Sequence, residues 1–220
     1  TPKSANEALK PDSPLARVLK LKGAKRAGSR CGVKDKDVLI PETVKHGKLQ
    51  LGRFEITRAQ FAEFDKTYAV DAGTDNYPAN RITFEQAKDY CAWLSKQTGA
   101  TYRLPNEDEA EDLYDKAAGT QNTLDYWAGY AVNPDDARRL QEKVKELGGK
   151  APLLREVGSF QGAGDEEPVF DLGGNVAEWV TKKDDKGELQ GGSADRPADA
   201  KQATNRPALE YQGFRVVKEK

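Results

Sequence analysis

The chain has 220 residues, 32% of them charged and 37% hydrophobic, with a formal net charge of −1. That length suits one large domain, and the near-neutral balance excludes a molecule built as a whole to grip nucleic acid. No run approaches the roughly 18 apolar residues of a membrane span, so no span is expected within the chain, and no secretory signal is visible.

The chain begins at Thr1 and contains no Met. It is expected to be a processed or excised part of a longer protein, attached to a further domain before Thr1. Residues 1–37 carry ten basic residues against four acidic ones and three prolines. They read as a basic linker or N-terminal extension that includes one short strand, Val18–Leu21; the alternative is an arm for an anionic partner. The domain proper is then 38–220.

Strands are predicted at Val38–Ile40 and Leu49–Ile56. Thr57 with Gln60 and Thr83 with Gln86 have the spacing of capping boxes, so each opens a helix. Phe61, Phe64 and Tyr68 share one face of the first; Phe84, Ala87, Tyr90, Cys91 and Leu94 form the apolar set of the second. Gly99 ends that helix in a left-handed cap. A third helix follows Pro105, with Asn106 as its cap and Glu107, Asp108 and Glu109 at the positive end of its dipole. A fourth runs from Pro134 to Leu147, with Ala137, Leu140, Val144 and Leu147 inward and Gly148-Gly149 closing it. From Pro152 on, glycine-rich loops and short apolar pieces take over. Helices first and irregular strands later indicate an α+β domain.

Two cysteines do not make a disulfide scaffold. Cys91, in an apolar helical stretch, reads as a buried thiol. Cys31 lies in a basic, glycine-flanked segment with no evident partner. His46, beside Gly47, reads as a surface residue, and Trp179 as core.

Four segments in order carry a resemblance: Phe54–Phe61; Ile82–Ser95 continuing to Tyr102–Glu107; Asp171-Leu172-Gly173-Gly174-Asn175-Val176-Ala177-Glu178-Trp179; and Gly191-Gly192-Ser193 with Gly213-Phe214-Arg215-Val216-Val217. Together they resemble the formylglycine-generating-enzyme (sulfatase-modifying factor) family. The resemblance implies a C-type-lectin-like fold with a twisted sheet, flanking helices and much irregular loop.

Within that family, the segment from Asp171 is similar to a calcium loop. The implied ligands are the side chains of Asp171 and Glu178 and the carbonyls of Gly174 and Val176, a hard oxygen set suited to Ca²⁺. The alternative is a tight turn whose carboxylates accept backbone N–H groups. Active members place two cysteines after the Gly-Gly-Ser segment to bind copper. The matching positions here are Arg196 and Lys201, which give copper no thiolate. An iron-dependent relative uses several histidines, and this chain has His46 alone. Neither copper nor iron is therefore expected. Ser193 has no evident base to make it a nucleophile.

What the resemblance leaves is a binding face rimmed by Trp127, Ser193, Asp195, Arg196, Lys201, Asn205 and Arg206, suited to a protein or peptide partner or an anionic group. For Arg206 a buried ion pair is the alternative. The family's usual tryptophan in the third helix is Ala110 here, and Asn133–Leu147 looks like a charged helical insertion. The expected function is a non-catalytic ligand- or protein-binding or regulatory module of a larger bacterial protein, extracytoplasmic or in signalling. The alternatives are a retroelement-diversified ligand-display protein and an enzyme with a redirected site.

Overall fold

A computed structural model describes residues 24–115, 122–146, 153–160, 167–196 and 206–219. The expected strand Val18–Leu21, the helix end at Leu147 to Gly149, and Lys201 and Asn205 lie outside the described residues.

The composition break expected near residue 37 is not a break in the structure. Strands β1 (Arg26–Ala27) and β2 (Arg30–Cys31) form one hairpin, and β3 (Val33–Asp35) and β4 (Val38–Ile40) a second. Cys31 packs in a buried cluster with Phe54, Val157 and Phe170. The Cys31 amide donates to Asn76 Oδ1 at 2.8 Å, so residues 24–37 are tied to the rest of the fold.

A four-stranded antiparallel sheet brings distant parts of the chain together. Its order is β5 (Thr43–His46), β6 (Leu49–Gly52), β11 (Val217–Lys218) and β7 (Tyr102–Arg103). Helices α1 (Arg58–Phe64) and α2 (Phe84–Thr98) start at the capping boxes of Thr57/Gln60 and Thr83/Gln86, both fully formed. Gly99 ends α2 with φ of 74°, the left-handed region that glycine enters without steric cost. Phe61, Tyr90 and Phe214 are fully buried and meet ring to ring, which locks α1 and α2 onto the C-terminal segment.

Asn106 caps α3 (Glu107–Asp115) by the same reciprocal bonds: Glu109 N–H donates to Asn106 Oδ1 and Asn106 N–H to Glu109 Oε2, both at 2.9 Å. The short α4 (Thr123–Ala128) follows, then α5 (Pro134–Glu146), which buries Ala137. The run predicted as a long strand at Leu49–Ile56 is strand only to Gly52; beyond it the chain bonds to other segments, Ile56 N–H to Phe214 O among them. A second sheet has the order β10 (Gln212–Gly213), β8 (Ala177–Thr181) and β9 (Gly187–Gln190). β10 runs parallel to β8, and β9 antiparallel. No helix among the described residues is long and apolar enough to cross a membrane.

Candidate functional site

The loop leading into β8 is held by its own polar side chains. Asp171 and Asn175 adopt φ of 67° and 54°, left-handed values unusual for residues other than glycine. Both are paired into place. The Asp171 carboxylate accepts the amides of Gly158 (2.5 Å) and Phe160 (2.9 Å). Asn175 N–H donates to Thr123 Oγ1 at 2.8 Å, and its side-chain oxygen accepts Arg155 N–H at 3.0 Å. A Cβ on Gly174 would stand 2.9 Å from Thr123 Oγ1 and 3.1 Å from Phe160, so only glycine fits between α4 and this loop.

Behind the loop lies a buried ionic centre. Arg215 donates to both oxygens of Glu178 (2.5 and 2.6 Å) and to the carbonyls of Gly52 (3.0 Å) and Phe170 (2.9 Å). Tyr114 Oη donates to Glu178 at 2.6 Å. Glu55 is also buried here, 1% exposed, and receives only long bonds: Val176 N–H at 3.4 Å and Asn175 Nδ2 at 3.5 Å. Burial, then repulsion from Asp171 and Glu178, pushes the Glu55 carboxyl well above the usual range. Burial likewise raises Asp171 to about 6, against the opposing pull of the Gly158 and Phe160 amides.

This centre fits a cation on charge grounds. Glu55, Asp171 and Glu178 face one guanidinium, and buried charge without a counter-charge is costly. Glu178 Oε2 already accepts from both Arg215 and Tyr114, so a cation would draw on Glu178 Oε1, on the Asp171 oxygens, which each accept one amide, and on Glu55. The fit is not a preformed cage, because no group of three or more His, Cys, Asp or Glu side chains among the described residues is arranged to hold a metal. Backbone carbonyls such as those of Gly174 and Val176 would have to complete the set. Glu55 was not among the residues expected from the sequence. Its signal is a charged residue set directly between the apolar Phe54 and Ile56.

On the other side of β8 the surface opens into two adjoining clefts of about 460 and 350 Å³. Trp179, Gly187 and Arg206 line both. Phe84 and Leu209 extend the larger, and Leu189 and Arg196 the smaller. Trp179 is 7% exposed, and its indole N–H donates to Ile82 O at 2.7 Å, so the ring is a fixed part of the floor as well as core. Arg196 is half-buried, and its Nε is buried without a hydrogen-bond partner. Burial lowers its pKa, and Asp195 only partly offsets this.

The expected rim is thus brought together in part. Arg196 and Arg206 are at the cleft. Ser193 and Asp195 are not rim residues: both are buried, with Ser193 Oγ donating to Asp195 Oδ1 at 2.6 Å and Ala208 N–H to Asp195 Oδ2 at 2.8 Å. They shape the turn before Arg196. Trp127 lines neither cleft. It is 52% exposed on α4, its indole N–H donates to Leu153 O, and Arg155 lies 5.9 Å over its ring and 4.0 Å over that of Tyr126. Asn122 links the two regions, its Nδ2 donating to Gly173 O and Arg196 O at 2.6 Å each.

An α+β domain with small sheets, a polar loop pinned over a buried ionic centre and a cleft across the same strand define a formylglycine-generating-enzyme-like, C-type-lectin-like domain. The chain belongs to the sulfatase-modifying factor enzyme 1-like domain family, whose model matches residues 18–220. It is similar to the solved structure of PvdO from Pseudomonas aeruginosa, at 21% identity and a TM-score of 0.47, over 77% of this chain and 80% of that one. It is similar to Treponema denticola variable protein 1 at 18% identity and a TM-score of 0.47, over 90% and 93% of the two chains. A third similar structure is CarF, at 15% identity and a TM-score of 0.41, over 77% and 85%. No curated protein matches the chain.

Proposed function

We propose that this domain is a recognition module, without formylglycine-forming chemistry, whose cleft at Trp179, Arg196 and Arg206 takes a peptide segment of a protein partner. One observation carries the reading: Arg196, where active members resembling this chain place a copper-binding cysteine, lines the cleft with a buried, unpartnered Nε. A desolvated guanidinium calls for an acceptor, and a carboxylate suits its planar fork best. Trp179 and Leu189 beside it supply apolar contact of the kind that anchors peptides.

The two cysteines offer no substitute for the missing pair. Both are buried, Cys31 against Phe54 and Phe170 and Cys91 among the α2 core, and neither lines the cleft. Ser193 is committed to Asp195, which supports a structural role for the hydroxyl.

The same proposal includes a structural Ca²⁺, held by Asp171 and Glu178 with the carbonyls of Gly174 and Val176 and with Glu55 as a further carboxylate. When bound, the ion would neutralise the buried carboxylate excess and stiffen the loop between α4 and β8. That loop abuts the Asn122 link to Arg196, so its order bears on the cleft.

The test is binding of the chain to an array of heptapeptides, each with a single Asp, Glu or free C-terminal carboxylate. Arg196→Ala is expected to weaken the best binders about tenfold or more, the effect of losing one charge-assisted bond. Binders indifferent to Arg196→Ala and Arg206→Ala, or conversion of a cysteine peptide to its aldehyde, would refute the proposal.

A further inference from the structure

β9 is the outer strand of its sheet. β8 pairs with it on one side, and no strand pairs with its other side among the described residues. The phase of the ladder is set at the hairpin, where Lys182 N–H donates to Lys186 O at 2.8 Å. Lys182 and Lys186 are therefore a hydrogen-bonded pair, and such pairs alternate along an antiparallel ladder with pairs that exchange no bonds. Thr181/Gly187 and Trp179/Leu189 are of the second kind, and Val180/Glu188 and Glu178/Gln190 of the first. The N–H and C=O groups of Gly187 and Leu189 accordingly point away from β8.

Both residues are half-buried and both line the cleft, Gly187 its two parts and Leu189 the part that holds Arg196. Two main-chain donors and two acceptors thus stand in the cleft wall beside a guanidinium with an unpartnered Nε. Partly buried backbone groups of this kind need partners. An open sheet edge is the feature that extended peptides pair with, with alternate side chains read by neighbouring pockets. Four residues of β9 span about 13 Å, room for a peptide strand of similar length. Trp179 and Leu189 stand opposite each other and share one face, so every second peptide side chain would meet them.

From this placement we infer that the cleft's occupant is an extended peptide segment of a partner that adds to β9 as a fourth strand, bonded to Gly187 and Leu189, with one of its carboxylates on Arg196. The inference rests on the reading of the cleft as a peptide site, and adds to it a backbone conformation and a register. The part of the cleft at Leu189 carries Arg196 and Arg206 against Glu188, a positive balance that favours an acidic peptide there.

The experiment uses the whole chain and the tightest peptide from the single-carboxylate heptapeptide array, with amide hydrogen exchange as readout. In the free protein, Gly187 and Leu189 amides are expected to exchange at least about tenfold faster than those of Glu188 and Gln190, and the peptide to slow the first pair about tenfold or more. Methylating the peptide's backbone nitrogens one at a time should cost at least about tenfold in affinity at every second position and little between, because alternate amides face β9. Leu189→Pro deletes one outward N–H where an edge strand tolerates proline, and should lose binding about tenfold, while Leu189→Ala keeps that N–H as a control for the side chain. If Leu189→Pro does not fold, the exchange data and the methylation series decide. Arg196-dependent binding without alternation or protection overturns strand addition and leaves the peptide cleft standing; no binding peptide at all removes both. Slow exchange of Gly187 and Leu189 in the free protein, or protection that grows with protein concentration alone, assigns the edge to another occupant and overturns the inference.

Discussion

Arg215 and Glu178 form a bidentate ion pair that is wholly out of water, the side chains 0% and 1% exposed. The pair joins the segment between β10 and β11 to β8, and Arg215 also holds the carbonyls of Gly52 and Phe170. It therefore ties four separate stretches of the chain to one guanidinium. Removing one partner strands the other charge in the interior, which costs about 3–5 kcal/mol. Arg215→Ala and Glu178→Ala are each expected to lose that much in urea unfolding. The double substitution should cost clearly less than the two losses added, because it leaves no lone charge. Strictly additive losses would show that the two residues do not act as a pair.

The calcium proposal is tested by stability. Adding EGTA at low total calcium should lower the melting temperature of the intact chain, since an ion bound only to the folded state stabilises it by mass action. Asp171→Ala should abolish the response. Glu55→Gln should weaken it while leaving the backbone bonds of Asp171 in place. An unchanged melt with and without EGTA counts against the ion, and leaves the hydrogen bonds of Asp171 and Glu178 as their whole role.

Thiol chemistry gives a sharper contrast. Burial pushes the Cys91 thiol up to about 12, and its side chain is packed within the α2 core. Thiolate is the reactive form, so Cys91 should stay unlabelled by a disulfide-exchange reagent at pH 8 and react fully in urea. Cys31, 3% exposed, should behave alike. Rapid labelling of either thiol in the native protein would contradict this packing.

Gly213 is a tight spot of the second sheet. A Cβ there would meet Val176 at 2.6 Å and the Ala79 carbonyl oxygen at 2.7 Å. A backbone oxygen cannot swing aside, so Gly213→Ala is expected to cost about 1–3 kcal/mol, the range for overpacking. Circular dichroism melts of the variant check it, and an unshifted melt would mean that β10 can move off β8.

The helices were legible because their signals are local. Thr57/Gln60, Thr83/Gln86 and Asn106/Glu109 each put a cap and its reciprocal partner three residues apart, and Gly99 marks the stop. The strands were much less legible. β7, β10 and β11 have two residues each, too short for any period of apolar residues to register. They form because partners distant in sequence supply hydrogen bonds, as when Val217 pairs with Leu51 and with Arg103. Residues 24–37 read as a linker because their charge masks the buried side chain of Cys31, which packs with Phe54, Val157 and Phe170.

Order along the chain, the caps, the absence of a second histidine and the position of Arg196 after Gly191-Gly192-Ser193 were all determined by the sequence alone, since each is a matter of residue type and near spacing. Which of the expected residues share a site was decided only in three dimensions. The turn at Ser193 and Asp195 buries both, α4 carries Trp127 to another face, and Glu55 joins Asp171 and Glu178 from more than a hundred residues away. Burial, charge balance and the edge position of β9 among the described residues are properties of contacts between distant segments, and no local pattern encodes them.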